Sequence, residues 1–243
     1  MSAIKISSLS KRYKNTVAVD GLDLVIEEGE LFSLLGVNGA GKTTTIKMLS
    51  CLTRPTEGNA TVEGYSVTTE AADVKRLIGV SPQETAVAEN LSVKENLELI
   101  AGVHGFSKEK TREKIEELAE WLSLNEVLKR KAGKLSGGWQ RRLSIAMALI
   151  GEPRILFLDE PTIGLDVIAR HELWRLIRSL KGKVTVVLTT HYMEEAESLS
   201  DRIGIMKGGK LLAVGGAEEL KESVGARDFE SAFVSIVTRG EGI

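Results

Sequence analysis

A glycine-rich run at residues 36–43 has the spacing G-x-x-x-x-G-K-[ST] of a phosphate-binding loop. Glycines let backbone N–H groups turn inward around phosphate oxygens, and the N-terminus of a following helix adds partial positive charge. Lys42 can reach the β- and γ-phosphates of a nucleotide, and the Thr43 hydroxyl can bind Mg²⁺. Because a strand-like apolar segment precedes this run and a helix-like segment follows it, the pattern predicts a nucleotide site rather than a simple glycine turn.

Two adjacent carboxylates, Asp159 and Glu160, end an apolar segment that is typical of a central parallel strand. A carboxylate there is costly without a partner, and Mg²⁺ shared with Thr43, directly or through water, would supply one to Asp159. Glu160 is then placed to orient or deprotonate the water that attacks the γ-phosphate. The alternative is that both residues only cap the next helix, but the phosphate-binding loop upstream favours a metal ligand and a base.

Three further residues are candidates on weaker grounds. Gln83 and His191 each follow a predicted strand, at the edge of the sheet where ligands bind in open α/β folds. A glutamine can hold the water shell of a metal, and a histidine can hydrogen-bond the γ-phosphate, although either is more often a structural residue. Tyr13 is predicted to be exposed upstream of the loop, where its ring either stacks on a purine or has no role.

A second glycine-containing motif occurs at residues 135–138, Leu-Ser-Gly-Gly. Ser136 can cap the helix that follows, and Gly137 and Gly138 expose the first amides of that helix to an anion. The chain therefore carries one phosphate-binding loop but two surfaces that can bind phosphate. The economical arrangement is a two-fold dimer in which each motif covers the partner's nucleotide, since a two-fold interface is self-complementary and creates two such sites.

The predicted elements place these residues at strand ends and helix starts. Alternating segments near the N-terminus predict a small antiparallel sheet, with polar turns at 11–15 and 55–59. Later strand-like segments alternate with helix-like ones, which is typical of a parallel sheet. Ser92 and Glu95 form a capping box for a helix that ends near Ala101.

We therefore predict an α/β fold, with a P-loop NTPase (RecA-like) core and an antiparallel β subdomain at 1–83 and 152–222. A helical subdomain is inserted at 84–151. A C-terminal amphipathic helix and tail follow at 223–243, and the apolar face of that helix packs on the core or contacts a partner.

Composition narrows the function classes. The chain has 243 residues with 32 Lys+Arg and 34 Asp+Glu, and this slightly acidic balance without a basic run argues against a nucleic-acid partner. The only cysteine, Cys51, cannot form an internal disulfide, which suits a reducing cytosol. The apolar runs are shorter than the roughly 18–20 residues of a membrane helix, so we expect another chain to supply any membrane span.

Taken together, these motifs resemble those of the ATP-binding subunits of ABC transporters, and the resemblance covers about residues 1–220. Residues 36–43 match the Walker A motif, 155–160 the Walker B motif and 135–138 the family signature. Single positions match the aromatic A-loop, the Q-loop, the D-loop and the switch histidine, in this order: Tyr13, Gln83, Asp166 and His191. Trp139 departs from the glutamine that is commoner after Ser-Gly-Gly.

The resemblance implies ATP and Mg²⁺ as cofactors and assigns the site residues. Residues expected to contact ATP within one chain are Tyr13, Gly36, Asn38, Gly39, Ala40, Gly41, Lys42, Thr43 and Thr44. Residues expected to contact it across the dimer are Ser136, Gly137, Gly138 and Asp166. The implied metal site comprises Thr43, Gln83 and Asp159, and the implied catalytic residues are Glu160, His191 and Gln83.

The resemblance also implies partners and a location. ATP would join two ATPase subunits, most simply as a homodimer, and hydrolysis would let them part and move separate membrane permease subunits. The segment 83–97, from Gln83 to Leu97, would contact those permeases at the cytoplasmic face of the cell membrane. The sequences at 191–197 and 201–203 are similar to those of ABC-2 and drug-exporter ATPases. The alternative is a soluble ABC-type ATPase that acts in cofactor or complex assembly.

Overall fold

The structure, a computed structural model, describes residues 1–239, and the last four positions of the predicted C-terminal tail, 240–243, lie outside the described residues. Its larger sheet contains the strands β3 (Leu31–Leu35), β6 (Ile78–Ser81), β7 (Ile155–Asp159), β8 (Thr185–Thr190), β9 (Arg202–Lys207) and β10 (Lys210–Gly215). Their order across the sheet is β10-β9-β3-β8-β7-β6, and every neighbouring pair is parallel except β9 with β10.

The three central strands β3, β7 and β8 are buried along their whole length. This burial explains their continuous apolar sequences, because a parallel strand covered on both faces needs no polar side. Helices cover the sheet and the elements beside it. They are α1 (Lys42–Leu49), α2 (Ala71–Leu77), α6 (Val167–Arg178), α7 (Met193–Leu199), α8 (Ala217–Val224) and α9 (Phe229–Arg239). The predicted α/β class is therefore confirmed.

A separate antiparallel sheet contains the strands β1 (Ser2–Tyr13), β2 (Thr16–Glu27), β4 (Glu57–Val62) and β5 (Tyr65–Ser66). Their order across this sheet is β2-β1-β4-β5. Both predicted turns here were too long. The turn at 11–15 is reduced to Lys14 and Asn15, because the ladder continues to the pair Tyr13 and Thr16. The turn at 55–59 ends earlier, because β4 already pairs with β1 at Glu57.

The segment between β6 and β7 is helical, as predicted. It contains α3 (Val93–Val103), α4 (Lys108–Trp121), α5 (Gly137–Leu149) and two 3-10 turns, Asn125–Val127 and Ala132–Lys134. The capping box of α3 is confirmed, since Ser92 Oγ accepts from the Glu95 amide and the Glu95 carboxylate accepts from the Ser92 amide. Within the described residues, no helix is both long and apolar enough to cross a membrane.

The sequence analysis missed α8, a short helix that starts after a glycine rather than after a capping side chain. The Glu219 carboxylate accepts a hydrogen bond from the Gly216 amide, and Gly225 ends the helix in the left-handed conformation at φ 68°. The amphipathic helix α9 is confirmed. Its buried residues Phe229, Ala232 and Ile236 face the core rather than solvent.

Candidate nucleotide-binding and active site

The glycine-rich run forms the loop between β3 and the start of α1, where a phosphate-binding loop requires it. At two positions only glycine fits. A Cβ on Gly36 would lie 2.3 Å from the carbonyl oxygen of Met206, and one on Gly41 would lie 2.4 Å from that of Ala18. Gly41 also has φ 105°, a conformation that side chains disfavour. The loop backbone is therefore packed closely between neighbouring segments, which holds its amides in place.

Lys42 is buried at the centre of this loop. Its Nζ donates to the carbonyl oxygens of Gly36 at 2.7 Å and Val37 at 3.3 Å, and lies 3.2 Å from Glu160 Oε1. The three donors of the ammonium group are thus directed to two loop carbonyls and one carboxylate. This places a fixed positive charge beside the loop amides, which favours a phosphate group there.

Asp159 and Thr43 bring two oxygen ligands together. Thr43 Oγ1 donates to Asp159 Oδ1 at 3.0 Å, and Thr189 Oγ1 donates to the same carboxylate oxygen at 2.5 Å. A hydroxyl and a carboxylate are ligands that Mg²⁺ prefers, and adjacent oxygens around an octahedral Mg²⁺ lie about 2.9 Å apart. The pair therefore fits Mg²⁺.

The same pair suits a particular kind of magnesium site. Among residues 1–239 no group of three or more His, Cys, Asp or Glu side chains could hold a metal by itself. A cation at Thr43 and Asp159 would therefore need nucleotide oxygens and water for its remaining positions, as is usual for Mg²⁺ beside phosphate.

Glu160 is held in a strained and specific position. Its backbone has φ 49°, which is unusual for a residue with a side chain and costs about 1–3 kcal/mol. Its amide donates to both the carbonyl and the hydroxyl oxygen of Thr189, at 3.1 and 3.0 Å. Its Oε2 lies 2.6 Å from His191 Nδ1, while its Oε1 faces Lys42. The Glu160 carboxylate thus contacts a histidine and a cation, whereas the Asp159 carboxylate contacts two threonine hydroxyls.

These groups surround one cavity of about 460 Å³, a size that suits a mononucleotide. The predicted site residues that line it are Asn38, Gly39, Ala40, Gly41, Lys42, Thr43, Thr44, Gln83 and Glu160. Asp159 and His191 reach this cavity through their contacts with Thr43 and Glu160. Gly36 accepts the Lys42 hydrogen bond from behind the loop.

The remaining predicted residues lie elsewhere in the chain. Tyr13 is 45% exposed and is outside the lining of the cavity, with Lys11 Nζ 5.0 Å from its ring centroid. Ser136 and Gly138 line a different cavity of about 490 Å³ between α5 and α6. Gly137 lies next to them at the first position of α5.

Two of the predicted cross-dimer residues, Ser136 and Asp166, occupy helix N-cap positions. Asp166 caps α6, since its Oδ1 accepts from the Ala169 amide at 2.9 Å. Ser136 occupies the N-cap position of α5, but its hydroxyl makes no capping hydrogen bond. The expectation of a side-chain cap at Ser136 was therefore wrong. Its oxygen does not satisfy the first amides of α5, so an anion would not have to displace it from them.

The sequence analysis overlooked three buried polar residues around the cavity. Thr189 bonds both Asp159 and the Glu160 amide, as described above. Arg141 donates to the backbone carbonyls of Pro82 and Gln83. Glu195 accepts from Thr162 and Trp174, and burial raises the pKa of its carboxyl group. Only one feature of the sequence could have indicated Thr189 and Glu195. Each is a polar residue at a position where the surrounding apolar pattern predicts a buried side chain.

Comparison with known proteins identifies the family. The family model described as "ABC transporter" matches residues 19–163. The daunorubicin resistance ATP-binding protein DrrA3 of Streptomyces coeruleorubidus is 44% identical over 225 residues, which cover 92% of this chain and 71% of that protein. The Nod factor export ATP-binding protein I of Burkholderia thailandensis is 42% identical over 225 residues, covering 92% of this chain and 74% of that protein.

Solved structures agree. The chain is similar to a structure described as the ATP-binding subunit of an ABC transporter, with TM-score 0.86, 27% identity, and coverage of 97% of this chain and 99% of the other. It is also similar to a dimeric post-hydrolysis state of the ATP-binding cassette MJ0796 bound to ADP and Pi. That match has TM-score 0.79, 29% identity, and coverage of 88% of this chain and 98% of the other. The chain belongs to the ABC transporter family, as an ATP-binding subunit that hydrolyses ATP.

Proposed function

We propose that this chain binds ATP with Mg²⁺ in the cavity described above, pairs with a second copy, and drives export through separate membrane subunits. The observation that carries the proposal is the convergence of Lys42, Thr43, Asp159 and Glu160 on one cavity. These residues comprise a phosphate-binding cation, a pair of metal-binding oxygens and a base, which are the parts that phosphoryl transfer to water requires.

In this proposal Thr43, Asp159 and Gln83 hold Mg²⁺, either directly or through its water shell. Held there, Mg²⁺ would supply positive charge against the negative charge of the nucleotide's phosphates. The loop amides and Lys42 orient the same phosphates. Thr44, in the first turn of α1, lines the same cavity and is proposed to contact the nucleotide as well. Tyr13 remains a proposed stacking partner for the adenine ring, on the grounds of its exposure and its position.

Glu160 is proposed as the general base that takes a proton from the attacking water. Its carboxylate is held by Lys42 on one oxygen and by His191 Nδ1 on the other. The second ring nitrogen of His191, Nε2, is left to donate to the γ-phosphate when the ring is protonated. The strained backbone of Glu160 supports this assignment, since such strain is concentrated at functional positions.

The proposed dimer gives a function to the residues that do not line the chain's own nucleotide cavity. Ser136 and Gly137 are exposed. Ser136 is the N-cap of α5, Gly137 and Gly138 are its first residues, and Asp166 is the N-cap of the neighbouring helix α6. In a two-fold dimer they would cover the γ-phosphate bound by the partner. The MJ0796 cassette is described as dimeric, and its likeness to this chain supports the same arrangement here.

Mixing two inactive variants tests this dimer. We expect Gly137→Asp alone to be inactive, because its carboxylate would repel the partner's phosphate. Its fold should survive, since a Cβ at Gly137 makes only an ordinary contact with Leu165 and Asp suits a helix N-terminus. Glu160→Gln alone should also be inactive. Mixed dimers contain one intact site, so phosphate release should recover to at most about a quarter of wild type in a random mixture.

The control is Gly137→Asp mixed with a chain that carries both Gly137→Asp and Glu160→Gln. None of the dimers in that mixture has an intact signature motif, so it should show no recovery. If the first mixture stayed inactive while each variant still bound ATP, the signature motif would not act across a dimer.

An apolar groove suggests where the membrane subunits bind. A cavity of about 250 Å³ between β6 and helices α3 and α5 is lined in part by Pro82, Ala86 and Ile100. Val103 lies one helical turn beyond Ile100 and directly before His104, which also lines the cavity, and it is 77% exposed. We propose that residues 84–151 form a helical subdomain and that this groove, with the segment 83–97, receives a helix of the permease.

Export is proposed from the relatives. Their names include daunorubicin resistance and Nod factor export ATP-binding proteins. With such a partner the chain would lie peripherally at the cytoplasmic face of the cell membrane. The alternative, a soluble ATPase of cofactor or complex assembly, has the same catalytic site and differs only in its partners.

Affinity purification from gently solubilised membranes separates these possibilities. The bait is the Glu160→Gln chain with ATP and Mg²⁺, and we expect it to recover a polytopic membrane protein. Adding Val103→Glu to the bait should reduce that recovery at least tenfold, because it places a charge on the exposed helical turn that carries the lining residues Ile100 and His104. Val234→Glu is the matched control, since Val234 is 51% exposed on α9 and lies outside the groove lining. Recovery of soluble partners alone would favour the assembly function.

A further inference from the structure

Arg141 is a buried arginine that the catalytic scheme above does not use. It lies on α5, shortly after the signature residues 136–138, and is 4% exposed. Its Nη1 donates to the carbonyl oxygen of Pro82 and its Nη2 to that of Gln83, both at 2.7 Å. Within the part of the chain that the structure describes, no carboxylate lies at ion-pair distance from it. Its guanidinium group therefore binds the backbone that carries Gln83.

Burying a guanidinium group is costly without close compensation. Burial lowers the pKa of Arg141, and the negative charges of Asp159 and Glu195 partly oppose that effect. The direct compensation comes from the two short hydrogen bonds. Because a planar guanidinium group directs its donors in a fixed fork, two bonds to consecutive carbonyls restrict both the position and the orientation of the Gln83 backbone.

Two further contacts on the same face of α5 continue this attachment along β6. Ser144, three residues after Arg141, shares a buried hydrogen bond of 2.8 Å with Ser81. Ala148 follows four residues later, and its carbonyl oxygen lies only 2.2 Å from where a Cβ on Gly79 would be. Spacings of three and four residues lie on one helix face. The face of α5 that carries Arg141 is therefore seated on β6.

This attachment joins two residues that belong to different nucleotide sites. In the proposed dimer, Gln83 contacts the ATP bound by its own chain, while Ser136 at the start of α5 contacts the ATP bound by the partner. We propose that Arg141 is a positioning residue that couples these two sites, so that ATP at one site sets the signature motif for the other. This inference depends on the proposed dimer and adds to it a specific connection within each chain.

To test this coupling, Arg141→Met is introduced into the full-length Glu160→Gln chain, in which ATP should cause the dimer to accumulate. We expect the affinity of the monomer for ATP, measured at protein concentrations too low for dimerisation, to stay within twofold. The dimer dissociation constant with ATP, measured by sedimentation, should rise at least tenfold. In the chain that retains Glu160, the Hill coefficient of turnover for ATP should fall from near two toward one.

Two variants serve as controls. Ser144→Ala removes the neighbouring contact with Ser81 but leaves the Gln83 carbonyl bonded, so it should lower the melting temperature without changing the dimer constant or the Hill coefficient. Arg141→Lys keeps a positive charge but has no fork to hold two carbonyls. The dimer dissociation constant of the Arg141→Lys variant should remain at least fivefold higher than that of the parent chain with Arg141.

Several outcomes would overturn the coupling role. One is a normal dimer dissociation constant in Arg141→Lys, which would mean that only the positive charge of Arg141 matters. Another is an equal defect in Ser144→Ala, which would make the effect general packing. A third is loss of ATP binding by the Arg141→Met monomer, which would make Arg141 structural support for its own site. If instead the Glu160→Gln parent failed to dimerise on ATP, the proposed dimer itself would be wrong, and the two failures are thereby distinguished.

Discussion

Replacing Lys42 with methionine is expected to weaken ATP binding by about 10- to 100-fold and to abolish measurable turnover at moderate ATP concentrations. A charge-assisted hydrogen bond contributes about 1.5–3 kcal/mol, and a tenfold change in affinity corresponds to about 1.4 kcal/mol. Lys42 is buried at the centre of the phosphate-binding loop, with its ammonium held by the carbonyls of Gly36 and Val37. Equilibrium binding of a fluorescent ATP analogue, with competition by ATP, would measure the loss.

The same substitution leaves Glu160 buried without its cation, which could lower stability for reasons unrelated to the nucleotide. The double variant Lys42→Met/Glu160→Gln separates the two effects. It should regain thermal stability relative to Lys42→Met but not regain ATP affinity. Lys47→Met is the matched control, because Lys47 lies on the same helix α1 but is exposed, and it should bind ATP normally. Normal ATP affinity in Lys42→Met would remove Lys42 from the phosphate-binding role.

The central part of the site was predictable because its chemistry is local in the sequence. The glycine spacing around Lys42 describes one loop, and Asp159 and Glu160 are neighbours at the end of one apolar strand. Their meeting follows from parallel strands whose carboxyl ends share one edge of the sheet. The distances between Thr43, Asp159, Glu160 and Lys42 add geometry to residues that the sequence pattern already singled out.

The residues that support this centre were not predictable in the same way. Thr189 acts through its register with Asp159 on the adjacent strand, 30 positions earlier in the chain. A threonine in a strand is common, and its pattern contains no information about which residue lies beside it. Arg141 similarly meets Gln83 across 58 positions. Arginines are seldom buried, and nothing in the sequence around Arg141 indicates that this one is.

The errors in the fold have equally simple causes. The end of the β1–β2 hairpin is exposed on both faces, so Arg12 and Val17 pair without the alternation of buried and exposed residues that identifies a strand. The helix α8 is short and is capped through the Gly216 backbone, which leaves no capping side chain to recognise. The position of Ser136 on its own chain could not reveal a contact with a partner, because its role would arise only in the dimer.

Replacing Glu160 with glutamine is expected to lower the rate of ATP hydrolysis by about 100- to 10,000-fold, the range over which a positioned base accelerates proton transfer. The amide keeps the size of the side chain but cannot accept the proton of the attacking water. ATP binding should be kept or strengthened, because Lys42 no longer pairs with a carboxylate. Phosphate release would measure the rate. Sedimentation with ATP and Mg²⁺ should show that the proposed dimer accumulates, because the variant blocks the hydrolysis that, in this proposal, separates the subunits.

Glu195→Gln provides a stringent control for that result. Glu195 is also a buried carboxyl group near the cavity, but it contacts Thr162 and Trp174 rather than Lys42 and His191. A glutamine has the same size and keeps the Oε1 acceptor for both donors, so Glu195→Gln should keep the fold and should keep turnover within about threefold of wild type. A loss restricted to Glu160→Gln would assign the base to that residue. Turnover near the wild-type rate in Glu160→Gln would mean that another group takes the proton, and the strained backbone at Glu160 would then serve only to place its carboxylate beside Lys42 and His191.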